Sequence, residues 1–180
     1  REWFVHYRYP GHENDTMVDS ELGPIPSGWE IKGISELAKV RYGDHLPRKE
    51  IAGGPIPVYG AGSKIGLHNR ANTSKETIIL GCRGTCGEVT ITEKHAFVTN
   101  NSFLIEPYSS HHFFWLYSLL DYRGVFEFIT GTAQPQITIE NLNYLRVITP
   151  PEALVNDFEQ KTNQNFETIN CLRRNSHIQR

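Results

Sequence analysis

Residues 130–151, TGTAQPQITIENLNYLRVITPP, divide the chain: the residues before them pattern as one mixed globular region, and those after them as a single amphipathic helix. Gly131 admits a left-handed turn, and Pro135 denies its neighbourhood both helix and central-strand pairing. Thr138 stands where an N-cap belongs, ahead of a short turn Ile139-Glu140-Asn141-Leu142. Leu145, Val147 and Ile148 suit a half-buried strand, Pro150-Pro151 ends it, and Pro151-Glu152 suits the first turn of a helix. The stretch therefore predicts a last core strand delivered directly into a helix.

On the C-terminal side, apolar residues recur at Leu154, Phe158, Phe166, Ile169 and Leu172, with Thr162 filling the gap, which is one helical stripe. From Glu152 to about Arg174, at about 1.5 Å per residue, the rod is roughly 35 Å long. Such a stripe is too long and narrow to be covered by its own domain alone. Residues 151–180 are therefore expected to form a coiled-coil-type helix that packs on a partner helix or on a second copy.

On the N-terminal side, Ser109-Ser110 can cap a helix over 111–123 whose apolar residues fill most of its circumference, and Phe126, Phe128 and Ile129 alternate as an extended run. Further back, Phe97-Val98 and Phe103-Leu104-Ile105 bracket a polar tip, Thr99-Asn100-Asn101-Ser102. The cleanest buried strand is Thr77-Ile78-Ile79-Leu80, joined through a glycine-rich loop (Gly81, Gly84, Gly87) to a second strand with Val89 and Ile91. A short strand is expected from Ile56 to Tyr59, and a helix over 36–42 capped by Ser35 and closed by Gly43. Residues 10–28 are acidic, rich in Gly, Pro, Ser and Asp, and aperiodic, which reads as a linker. The expected organisation is the end of a spacer plus linker at 1–28, one α+β domain of short strands and few helices at 29–150, and the helix at 151–180.

With 180 residues, 38% of them apolar and 11% aromatic, the chain can bury one real core plus an appendage rather than two full domains. No apolar run approaches the roughly 18 residues of a membrane span, and REWFVHYRYP has no secretory pattern, so a cytoplasmic protein without membrane association is expected. The start at Arg1, with its apolar WFV triplet, reads as a fragment of something longer.

The net charge of −2 divides unevenly: residues 1–31 hold two basic and six acidic side chains, 32–124 eleven and eight, and 125–180 five and six. Cations gather in the middle, in glycine-flanked and polar loops: Arg48, Lys49, Lys64, Arg70, Lys75 and Arg83. Arg pairs bidentately with phosphate or guanine, and Asn and Gln with adenine, so Asn100, Asn101, Gln134 and Gln136 join them as candidate DNA contacts. Taken singly, each of these is more often an ordinary solvated side chain.

Catalytic chemistry finds no foothold. Gly81, Gly84 and Gly87 fit neither GxGxxG nor GxxxxGK[ST], and no GxSxG elbow occurs. Cys82 and Cys86 lack a second ligand pair, His111-His112 lack HExxH spacing, and His68 and His95 stand alone, so neither metal nor cofactor is expected. The odd third cysteine, Cys171, argues against a disulfide framework.

Taken together and in order, GPIPSGWE at 23–30, IPVYGAGSKIG at 56–66, IILGCRGTCGEV at 78–89, FVTNNSFLI at 97–105 and the 130–151 stretch resemble the specificity subunits of type I restriction-modification systems. The resemblance implies a target recognition domain that reads double-stranded DNA. It assigns catalysis to methyltransferase subunits, which carry the Asn-Pro-Pro-aromatic motif and the cofactor site, and to a restriction subunit joined through them. Here Pro150-Pro151 comes after Thr149, and no such motif occurs. WFV with its acidic linker resembles the exit from the family's central helical region into a second recognition domain, and 151–180 its conserved helix, stopping short of the usual tail. Cys82 and Cys86 depart from the family's glycine loop. By the same resemblance, Arg83 and Lys64 are expected to meet DNA phosphates, while the loops 43–54 and 67–75, with Arg48 and Arg70, read bases. Two other readings stay open: a helix-mediated interaction module without DNA binding, and the recognition part of a fused methyltransferase or nuclease.

Overall fold

The computed structural model describes the backbone of residues 1–51 and 53–178, with side chains as far as Phe166. It forms two compact units: one holds Arg1–Ile31, Ser109–Leu116 and the chain from Ile148 onward, the other Lys32–Tyr108 and Tyr117–Val147. In chain order the elements are β1 (Met17–Val18), β2 (Ile25–Pro26), β3 (Glu30–Gly33), α1 (Ile34–Leu37), β4 (Ala38–Tyr42), β5 (Ile56–Gly60), β6 (Ser63–His68) and β7 (Ile78–Gly81). After these come β8 (Val89–Ile91), β9 (Phe97–Val98), β10 (Ser102–Pro107), α2 (Phe113–Arg123), α3 (Ile139–Leu142), β11 (Arg146–Thr149) and α4 (Glu152–Ile178).

The larger unit is built on a four-stranded sheet ordered β4-β10-β7-β8 and a three-stranded one ordered β6-β5-β9. The first is antiparallel throughout, whereas β9 runs parallel to β5. In β7 and β10, consecutive residues Ile78-Ile79-Leu80 and Phe103-Leu104-Ile105 are all 0% exposed. Successive strand residues point to opposite faces, so both faces of this sheet are covered. Continuous apolar runs, rather than alternating ones, are the sequence mark of that position.

Around 130–151 the local signals act as expected. Gly131 is left-handed at φ 85°. The Thr138 side chain accepts from the Asn141 N–H and opens α3. Leu145 and Val147 are buried, β11 forms, and α4 begins at Glu152 directly after Pro151. Ser109 likewise accepts from the His111 N–H ahead of α2.

Two expected elements are corrected. The helix placed at 36–42 is only α1, which starts at Ile34 with the Glu36 carboxylate accepting the Gly33 N–H at 2.7 Å, and residues 38–42 form β4 instead. The apolar spacing there fits either element, but β10 offers five cross-strand partners from Phe103↔Tyr42 to Pro107↔Ala38, and the pairing overrides local propensity. The extended run at Phe126–Phe128 is a 3-10 turn: Gly124 ends α2 at φ 69°, and the Phe128 and Ile129 N–H groups donate back to Val125 and Phe126. The segment read as a linker carries the β1–β2 hairpin.

In the smaller unit, Tyr9, Ile25 and Trp29 form a buried cluster against which Trp3, Phe4, Tyr7 and Leu154 pack. Phe158 meets Phe4 edge-on at 4.9 Å and Trp3 at 5.9 Å, and Phe166 meets Phe114 at 5.0 Å. Leu154, Phe158 and Phe166, expected to face a partner helix, have neighbours within the chain: Leu154 packs on the Trp29 cluster, Phe158 on Trp3 and Phe4, and Phe166 on Phe114, aromatic surface that an isolated-helix reading cannot place. Ile169 and Leu172 lie outside the described side chains. Glu159, 7% exposed, accepts the Trp115 N–H at 2.8 Å, so α4 caps the start of α2 with a carboxylate.

Candidate nucleic-acid interface

The glycine loop leaves β7 at Gly81 and closes on itself: the Gly81 N–H donates to the Glu88 carbonyl at 2.8 Å, and the Gly87 N–H to the Gly81 carbonyl at 2.9 Å. Gly81 is required by close approach, since a Cβ there would collide with the Thr85 carbonyl and stand 2.8 Å from the Ala61 backbone. The loop then binds its neighbours through backbone groups. Cys82 and Arg83 N–H groups donate to the Asn101 carbonyl at 2.9 and 3.2 Å, and the Ile137 N–H donates to the Cys82 carbonyl at 2.9 Å. Arg83 also pairs as an antiparallel bridge with Gln136, itself bridged to Thr130 across the turn that holds Gln134. Arg83, Asn101 and Gln136, spread over 54 positions of sequence (83 to 136 inclusive), therefore meet by main-chain geometry. The Arg83 guanidinium lies 5.7 Å over the Tyr42 ring, a cation–π contact that orients the charge.

Beside this junction lies a cleft of about 580 Å³ lined by Leu46, Arg48, Ile51, Ile65, Thr99, Asn100 and Asn101. Arg48 comes from the exposed 3-10 turn Arg48–Glu50, which also carries Lys49. The polar turn is held by an Asn100 N–H bond to the Asp44 carbonyl at 3.0 Å and a Ser102 N–H bond to the Thr99 carbonyl at 3.0 Å. Ser102 Oγ accepts the Gly62 N–H at 3.1 Å, which ties the β5–β6 turn to the same place. Arg70 stacks 5.7 Å over Phe97, and the His68 ring meets that phenyl edge-on at 5.5 Å.

Two of the candidate cations stand apart. Lys64 is ion-paired with Glu93 at 2.9 Å, and this hydrogen bond raises its pKa above the ordinary lysine value. The pair is exposed, and its charge is internally matched. Lys75 precedes the opposite end of β7 from Arg83 and is not drawn into the junction. Neither Cys82 nor Cys86 is poised as a thiolate: burial pushes the Cys82 thiol up to about 11 and also raises that of Cys86. Among the described residues, no group of three or more His, Cys, Asp or Glu side chains could hold a metal ion. No helix among them is long and apolar enough to cross a membrane.

Sequence reading missed Tyr42, Thr99 as a cleft residue, the apolar walls Leu46, Ile51 and Ile65, and Glu93 as the partner of Lys64. Only Thr99 left a signal, as part of the polar tip; the others depend on pairings between distant segments.

The family described as the Type I restriction modification DNA specificity domain matches residues 26–166, and the chain belongs to that family. Its relative in Methanocaldococcus jannaschii, the type I restriction enzyme MjaIX specificity subunit, is 24% identical over 204 residues, covering 94% of this chain and 45% of the relative. Among solved structures, the type I restriction-modification S subunit from M. genitalium superposes with a TM-score of 0.63 at 22% identity, covering 79% of this chain and 38% of that one. The HsdS subunit from Thermoanaerobacter tengcongensis gives 0.58 at 17% identity, covering 90% and 42%. The fold is shared with both, and the chain spans less than half the length of each of these relatives.

Proposed function

We propose that this chain is the DNA-reading part of a type I restriction-modification specificity subunit, which brings methyltransferase and restriction subunits to a target site and performs no catalysis of its own. The observation that carries the reading is the backbone junction of Arg83, Asn101 and Gln136 beside the Arg48 cleft, within the span matched by the family. A rigid main-chain platform presenting a fixed Arg suits a phosphate, which every sequence offers; free Asn and Arg side chains in neighbouring loops suit base edges. Partner subunits supply much of the remaining phosphate contact, which accommodates a net charge of −2. The protein acts in the cytoplasm, and α4 beyond Phe166 reaches a helix of another subunit or copy; an assembly mass unchanged in light scattering by Ile169→Asp with Leu172→Asp counts against that contact.

The test uses the complete subunit assembled with its methyltransferase partners. Arg83→Ala weakens binding to target and unrelated DNA alike and lowers the salt slope by about one, whereas Arg48→Ala or Arg70→Ala costs about 1–3 kcal/mol against the target site alone. If Arg83→Ala changes which sequence is methylated while leaving non-specific binding intact, the assignment of roles is reversed. Robust methylation, cleavage or ATP turnover by the purified isolated chain overturns its non-catalytic role.

A further inference from the structure

Thr99, at the buried end of the cleft, is 4% exposed, and its Oγ1 makes no hydrogen bond to any described residue. A buried hydroxyl without a partner lowers stability, so its presence calls for a use. Gly60 leaves this hydroxyl its room, because a Cβ there would stand 2.8 Å from Thr99 Oγ1. The adjoining Asn100 and Asn101 spend their backbone groups on Asp44, Cys82 and Arg83, and their side-chain amides make no described bond. Leu46, Ile51 and Ile65 line the cleft with apolar surface, and Arg48, exposed and without an ion pair among the described residues, stands beside them.

We propose that this cleft receives a single purine base drawn out of the DNA stack. The inference rests on the DNA-reading function proposed above and specifies how one position of the target is read. A base edge inside a duplex groove is read by side chains that protrude, whereas a concavity of about 580 Å³ admits a whole base. Apolar walls suit the faces of a ring, an Asn amide matches the donor–acceptor edge of adenine, and the Thr99 hydroxyl completes the set at the buried end. Arg48, exposed beside the cleft, then meets an edge of the same base. Because extrusion costs least where pairing is already broken, a mismatch at that position tightens binding.

The experiment uses the complete specificity subunit with its methyltransferase partners and target duplexes in which 2-aminopurine replaces the purines one at a time. The expected result is emission rising several-fold at one position other than the base that the methyltransferase subunits modify; Thr99→Val abolishes that rise and weakens target binding about tenfold, with unrelated DNA bound as before. The melting midpoint of the Thr99→Val protein does not fall, since no internal bond is lost. A target preference retained with no rise at any position other than the modified base overturns the inference, as does a rise at such a position that survives Thr99→Val, which places that base in another pocket of the assembly. A lowered midpoint makes the hydroxyl structural, and micromolar binding of free 2-aminopurine deoxyribonucleotide without DNA makes the cleft a small-molecule site; either result also overturns it. Absence of any target preference in the unaltered assembly instead removes the DNA-reading function itself.

Discussion

The smaller unit and the larger one solve the same problem with opposite materials. In the smaller, side chains are the framework: Trp29 is wrapped by Phe4, Tyr7 and Tyr9 at ring distances of 6.2, 5.3 and 5.5 Å, and Phe158 by Trp3 and Phe4. In the larger, the junction that matters is main chain on main chain, with Cys82, Arg83, Asn101, Gln136 and Ile137 joined through backbone groups. A framework of side chains ties stability to residue identity. A framework of backbone leaves the outward side chains free to differ without cost to the fold, which is what a recognition surface needs.

The contrast can be broken most directly at Trp29. Removing its ring by Trp29→Ala leaves a cavity in the aromatic cluster and costs about 3–5 kcal/mol, read as the loss of unfolding free energy in urea. An effect below about 1 kcal/mol would mean that the cluster is not the framework of its unit. In the larger unit the equivalent weak point is a residue with no side chain at all. Gly81→Ala forces a methyl against the Thr85 carbonyl and the Ala61 backbone, and it is expected to destabilise by about 3 kcal/mol. Neighbouring Thr85→Ala, on an exposed side chain, should stay within about 0.5 kcal/mol by the same measurement.

Glu159 sharpens the comparison through pH. Burial raises its pKa from 4.5 to about 7, ahead of the opposing bonds it accepts from the Trp115 and Phe114 N–H groups. Between these values the folded state holds the proton that the unfolded state has lost, so stability falls as pH rises from about 4.5 to about 7 and is lowest above that window. The penalty is roughly 3 kcal/mol at its fullest. Glu159→Gln keeps an oxygen acceptor for the Trp115 N–H without the charge, and its stability profile over the same window should be flatter by that amount. A variant profile parallel to the original would remove Glu159 as the titrating group. The smallest effect belongs to the exposed Lys64–Glu93 pair. Glu93→Gln should change stability by less than about 1 kcal/mol while freeing a cation beside the β5–β6 turn, so any gain in DNA affinity of the assembly on this substitution measures what the pairing withholds.

Much of the fold is legible in the sequence because its signals act over a few residues. Thr138, Ser109, Gly131 and Pro151 set caps, turns and stops through their own φ angles and hydroxyls, and the apolar runs of β7 and β10 announce strands covered on both faces. The family, too, is readable from ordered motifs, and Arg83, Asn101 and Gln136 stand out by residue type and loop position, although nothing local says that they meet. Tertiary structure alone decided the rest. Residues 38–42 became β4 because β10 lies alongside, with Arg41 reaching Glu106 at 3.0 Å across 65 positions. Lys64 lost its freedom to Glu93, 29 positions away, and Phe158 of α4 found cover in Trp3 and Phe4, more than 150 positions earlier. Thr99 became a candidate contact only when Gly60 and the 46–51 turn were folded around it. Local propensities differ by at most about 1 kcal/mol per ordinary residue, whereas pairing with a distant strand or burial of an aromatic ring contributes several, so wherever the two disagree the distant partner decides.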